Sequence, residues 1–182
     1  MRSPSSRRVR GLLAVGPLVC VSWLGAHAAF TDSVSATSSF STGTVAIKAN
    51  DLTGTVAFTS LATSGMTPGT TKYASLKISN AGTNDFTYTM ATATSGDASL
   101  GSALTIGIKV VPTSTCTMTE YTASSTVAYA EAAGLGGAAI ASRPLASGAS
   151  EFLCFKVQLP TSASNALQGL TADATFSFSA TT

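Results

Sequence analysis

The 182 residues carry ten Lys and Arg against eight Asp and Glu, with one His and a formal net charge of +2. Four of the ten bases (Arg2, Arg7, Arg8 and Arg10) fall in the first ten residues, so the rest of the chain has six bases against eight acids and no basic footprint for nucleic acid. The single His27 and single Trp23 also sit near the start. If that start is removed, the usual histidine-based protease triads and zinc motifs cannot be built.

That start reads as an export signal. The basic stretch is followed by an uncharged run from Gly11 to Gly25, and Ala26-His27-Ala28 supplies the small-x-small pattern read by signal peptidases. A membrane span needs roughly 20 apolar residues, and this run is shorter and interrupted by Gly16-Pro17, so a permanent anchor is the weaker reading. Arg10 occupies the place where a twin-arginine signal wants a large apolar residue, and Leu18 and Val19 are too bulky for a lipobox before Cys20. The division expected is a helical signal peptide over 1–28, cleaved between Ala28 and Ala29, and a single domain over 29–182. No sorting signal or apolar tail follows, so release to the exterior or cell surface is expected, with no stable membrane span after processing.

The next segment, Phe30 to Phe40, alternates. Thr31, Ser33, Ser35, Thr37 and Ser39 share one side, and Phe30, Asp32, Val34, Ala36, Ser38 and Phe40 the other. Eleven such residues extend about 36 Å, the length of a small sandwich. Gly43 then shifts the phase, so that Val45 and Ile47 continue on odd positions, as a hinge or bulge would require. Two readings are open. Residues 29–42 are an ordinary first strand, or they are an arm donated to another copy, with Phe30, Val34 and Phe40 filling pockets there.

The body of the chain repeats in period two, the sign of half-buried strands. The apolar rows are Leu76 and Ile78; Phe86, Tyr88 and Met90; Leu104, Ile106, Ile108 and Val110; Leu153, Phe155, Val157 and Leu159; and Phe176 and Phe178, with a shorter run at Val56 and Phe58. Thr67-Pro68-Gly69-Thr70 predicts a type II turn, Asn80-Ala81-Gly82 another boundary, and Pro112 and Pro160 strand ends. Residues 123–150, rich in Ala, Gly and Ser, read as a long connection holding one weak strand, and 161–169 as a helical turn or two closed by Gly169. Seven or more strands with almost no helix predict an all-β sandwich.

Beyond the signal only Cys116 and Cys154 remain, 38 residues apart, and an even pair in an exported chain predicts a disulfide. On the chain-entropy account it is worth ~4 kcal/mol. Alternation places Cys154 opposite Leu153 and Phe155, outside the main core. The acids Asp32, Asp51, Asp85, Asp97, Glu120, Glu131, Glu151 and Asp173 are scattered singly, with no calcium loop, and Gly134 to Gly137 is too short for a phosphate loop. No catalytic, cofactor-binding or metal-ligating residue is expected.

Several short motifs resemble the TasA/camelysin family. Phe30-Thr31-Asp32 and Phe40-Ser41-Thr42-Gly43-Thr44-Val45-Ala46-Ile47 look like the start of the processed family proteins. Met66-Thr67-Pro68-Gly69-Thr70 is similar to the family's Met-x-Pro-Gly-Asp turn, with Thr70 in place of the acid, and Asn80-Ala81-Gly82 to its Asn-x-Gly. The cysteine pair and Leu167-Gln168-Gly169 look like the actinobacterial branch. The resemblance implies a jelly-roll-like sandwich, processing by a dedicated signal peptidase, and self-association into filaments of a biofilm matrix. Camelysin also brings a metalloendopeptidase label, which no recognisable zinc site in this sequence supports. The expected function is a secreted structural protein. The alternative is a monomeric surface-binding or adhesin domain, which would need an exposed groove or aromatic platform.

Overall fold

A computed structural model describes residues 42–54, 58–61 and 64–182. The signal segment, the Ala28–Ala29 cleavage pair, the arm residues Phe30, Val34 and Phe40, and Val56 lie outside the described residues. Those described fall in one unit, Ser41–Thr182.

Eight strands are present among them: β1 (Ile47–Ala49), β2 (Thr71–Asn80), β3 (Phe86–Gly96), β4 (Thr105–Val111), β5 (Val127–Ala133), β6 (Ala139–Leu145), β7 (Ser150–Gln158) and β8 (Ala172–Thr181). They form two antiparallel sheets, β1-β2-β7-β4-β5 and β6-β3-β8. Apart from the short Val56–Phe58 run, each apolar row predicted from the alternation faces the gap between them. Leu76 and Ile78, Ile106 and Ile108, and Leu153, Phe155 and Val157 come from the five-stranded sheet, and Phe86, Tyr88, Met90, Ile140 and Leu145 from the other. Fully burying one such side chain contributes roughly 1.5–3 kcal/mol, so this shared core is what holds the layers together. The all-β sandwich expected from the sequence is present. From β2 onward the chain changes sheet at every connection except β4 to β5. That order is a jelly roll in which the place beside the last strand is unfilled among the described residues.

The predicted turn at Thr67–Thr70 closes with the Thr70 amide donating to the Thr67 carbonyl at 2.8 Å, and Gly69 supplies the positive φ of 93°. Among the described residues Asn80 is the one polar residue buried in full, and its side chain is hydrogen-bonded at both ends. Its amide nitrogen donates to the Asn84 and Leu145 carbonyls at 2.8 and 3.0 Å, and its oxygen accepts from Gly82 N at 2.9 Å. It thereby ties the β2–β3 turn to the end of β6.

The segment 123–150 holds two strands, β5 and β6, where one weak strand was expected. Both are alanine-rich and mostly exposed, so their own pattern is faint, and pairing with β4 and β3 creates them. Two helices were not anticipated: α1 (Ala98–Ala103) and α2 (Met118–Ala123). Six residues are too few to display a 3.6-residue period, but each is capped, α1 by the Asp97 carboxylate and α2 by a capping box between Thr117 and Glu120. Phe58 lies in no strand and packs its ring on Phe155, centroids 5.1 Å apart. The turn near 165 is a single 3-10 turn, Asn165–Leu167, capped by Ser164.

The Cys116–Cys154 disulfide is present and lies outside the main core, as alternation required. With Val111 and Tyr121 buried, and Tyr73 and Phe152 packed against them, it builds a second, small core on the outer face of the five-stranded sheet. What it fastens there is the segment carrying α2.

Candidate assembly edge

Two sheets have four edges, and three of them are blunted. β1 is three residues long. β5 meets β4 through two register shifts. β6 carries Pro144 and a register shift against β3. Short length, bulges and proline are the usual devices that keep an edge strand from recruiting another chain. β8 has none of them. Its ten residues run in unbroken register against β3, from Thr87 opposite Thr181 to Gly96 opposite Ala172. It contains no Pro, Lys or Arg, and its one charge is Asp173 near its start. Among the described residues it has a hydrogen-bonded neighbour on one side only, and β1 comes near it without pairing. Alternate backbone N–H and C=O groups along β8 therefore point away from the sheet.

The side chains tell the same story. Phe86, Tyr88 and Met90 on the adjacent β3 are 3, 0 and 2% exposed. On β8 the inward row Ala174, Phe176, Phe178 and Ala180 packs against the same core yet is only partly buried along its whole length. Phe176 lies 4.9 Å from Phe155 and Phe178 6.1 Å from Tyr88, ring centroid to centroid, so both rings are well seated on one side. On their other side no strand lies beyond β8 among the described residues. Among the described residues the result is an apolar row bordered by unpaired backbone, the form of site that an added strand completes.

Most of the described charged side chains are committed elsewhere. Glu151 on β7 accepts from Arg143 Nε and Nη2 on β6, at 3.0 and 2.6 Å, and from the Tyr88 hydroxyl on β3, so a half-buried clasp joins the two sheets. Burial first, and then the neighbouring Glu151, push the Tyr88 hydroxyl far above the ordinary tyrosine range, and the same carboxylate raises Arg143. Lys77 pairs with Asp51 and Lys156 with Glu131, both at 2.8 Å. The hydroxyl of Ser99 holds Asp97 below the ordinary carboxylate range, and that of Thr117 does the same for Glu120. Among the described residues no three His, Cys, Asp or Glu side chains come together. A cavity of about 270 Å³ at one end of the sandwich is walled by glycines, Thr94, Ser95 and Ser102, with Asp97 its one ionisable group, already spent on capping α1.

No protein-family model matches the chain, and no curated protein matches it. The likeness to the TasA/camelysin proteins therefore rests on the short motifs alone. The edge position of β8 among the described strands was hidden in the sequence, where Phe176 and Phe178 alternate like any core pair. The usable signal was negative: β8 is a long strand with neither proline nor a basic residue.

Proposed function

We propose that this chain is an exported structural subunit that joins to further copies of itself by strand donation, residues 30–40 of one copy adding to the β8 edge of the next. The observation that carries the reading is the unblunted β8 edge with its partly uncovered Phe176 and Phe178. The proposed arm suits it, since Phe30, Val34 and Phe40 share one side and eleven residues match the ten of β8. Head-to-tail contacts of this type do not close on themselves, so they propagate into filaments. A disulfide fits an oxidising exterior, and the signal-like start fits export. The motif resemblance points to the same outcome, a secreted matrix or cell-surface fibre.

The test is deletion of Ala29 to Phe40 from the processed protein. Electron microscopy over a concentration series should show filaments from the full processed chain and folded monomers from the truncation. Filaments from the truncation would remove the arm as connector. Monomers from the full chain at every concentration would mean that the edge is covered by the chain's own arm.

A further inference from the structure

Cys154 is the middle residue of a three-strand row on the outer face of the five-stranded sheet. Ser75 on β2 stands opposite it on one side, and Lys109 on β4 on the other. Side chains so opposed share a face, with Cβ atoms about 4.5–5.5 Å apart. The Ser75 hydroxyl oxygen is buried and has no hydrogen-bond partner among the described residues. A native protein rarely leaves a buried hydroxyl so. Lys109 has donors to spare, since its ammonium carries three and gives one to the Ser124 carbonyl at 2.8 Å.

The two sulfurs of the disulfide are unequal. Cys154 has no exposure, whereas Cys116 is half-buried in an uncharged run, Pro112 to Thr119, whose other residues are all exposed. A thiolate attacks a disulfide along the S–S axis, from the side away from the sulfur that leaves. From solvent, that line meets Cys116 and expels Cys154. We propose that Cys116–Cys154 is an exchangeable disulfide, with Cys116 the sulfur modified by an incoming thiolate and Cys154 the leaving group, received by Ser75 and Lys109. This site is independent of strand donation.

As the incoming sulfur bonds to Cys116 Sγ, the Cys116–Cys154 bond breaks and its electron pair goes to Cys154 Sγ. The products are a mixed disulfide on Cys116 and a thiolate on Cys154. A buried thiolate without partners would be costly. Here the Ser75 hydroxyl gains an acceptor and the Lys109 ammonium supplies the opposite charge, surroundings that make a thiol a good leaving group. A monothiol leaves its adduct on Cys116. A dithiol goes further: its second thiolate attacks its own sulfur on Cys116, Cys116 leaves, and two electrons and two protons have passed to the pair. Either way the tie between the α2 segment and β7 is released.

The experiment uses the processed full chain, oxidised, with glutathione as the monothiol and dithiothreitol as the dithiol. Rapid alkylation and peptide mass spectrometry should find the first glutathione adduct on Cys116 and the alkyl group on Cys154. An adduct on Cys154, or one shared equally, overturns the assignment. Opening by dithiothreitol should slow about tenfold in Lys109→Met and about threefold in Ser75→Ala, with Lys109→Arg restoring most of the rate. A lysine with only a structural role predicts the opposite sign, because losing its bond to Ser124 loosens the segment and speeds opening. Circular dichroism and thermal midpoints check the folds, and in denaturant all variants should open at one rate. Should Lys109→Met fail to fold, Ser75→Ala, which removes a hydroxyl without a partner, carries the comparison alone. Unchanged or faster opening in the folded variants, slowing that persists in denaturant, or a folded wild type that neither thiol opens overturns the proposal.

Discussion

The Tyr121 hydroxyl occupies the space that a side chain on residue 107 would need: a Cβ built on Gly107 lies 2.2 Å from that oxygen. Tyr121 is the buried residue of α2, and Lys109 and Lys156 stand 4.9 and 5.8 Å from its ring centre. The glycine in the middle of β4 is therefore what allows α2 to lie flat on the sheet. Gly107→Ala should cost about 1–3 kcal/mol through overpacking. In a Tyr121→Phe background, which lacks the hydroxyl, the same change should cost less. Denaturant midpoints of the two singles and the double close this cycle, and an equal cost in both backgrounds would contradict the contact.

The disulfide fastens the same segment from its other end. Cys116→Ala with Cys154→Ala should lower stability by roughly 2–4 kcal/mol. Cys154 has no exposure, so part of that loss is buried volume rather than chain entropy. The three-stranded sheet does not touch this small core, and filament formation should survive the double variant. Loss of filaments with the fold retained would link α2 to assembly.

Glu151 serves partners from two other strands, so its loss is asymmetric. Glu151→Ala strands Arg143 and Tyr88 together and should cost about 3–5 kcal/mol, the range for breaking a buried charge pair. Tyr88→Phe removes one hydrogen bond and should cost about 1 kcal/mol. Thermal unfolding of both variants orders them. A Tyr88→Phe loss as large as that of Glu151→Ala would show that the clasp is not organised around the carboxylate.

Alkaline pH tests the small core together with the Tyr88 clasp, whose hydroxyl is also raised, and the Tyr121 variant separates the two. Burial, then Glu131 and Tyr73, push the Tyr121 hydroxyl up to about 12, while an unfolded chain's tyrosines ionise near 10. The folded state thus holds this proton more tightly, and the stability so gained is whole below pH 10 and lost as pH rises through 12. Denaturant midpoints should fall across that window, and Tyr121→Phe should flatten the fall. An unchanged slope in Tyr121→Phe would assign the effect elsewhere.

The β8 edge has a solution signature of its own. Protein lacking Ala29 to Phe40 should bind a dye that reports exposed apolar surface, and a synthetic peptide of residues 29–42 should displace it. A peptide with Phe30, Val34 and Phe40 changed to Ser should not. Equal displacement by both peptides would mean that binding does not use those three side chains.

The strands that pack on both sides of a core row were legible in the sequence, because burial forces strict alternation: Phe86, Tyr88 and Met90, or Leu153, Phe155 and Val157, have no other arrangement. β5 and β6 were not, since Ala and Ser are indifferent to burial and their placement comes from neighbours 18 or more residues away in the chain. Helices α1 and α2 were readable only through their caps, Asp97 and the Thr117–Glu120 box, which sit inside Ser/Thr-rich stretches where such pairs are common. Whether an edge is open is a property of topology. Nothing local to Phe176 or Phe178 records that β8, among the described residues, pairs on one side only.

The strand register also sets a clock. Thr87 pairs with Thr181 and Thr71 with Gln158, so the central pairings of both sheets join residues nearly half the chain apart. Such pairings pay their loop-closure entropy before any contact rewards it, which places folding of this topology in the millisecond-to-second range. β3 cannot complete its ladder until β8 exists. For a chain read as exported, that delay is the interval in which it is still threadable through a membrane.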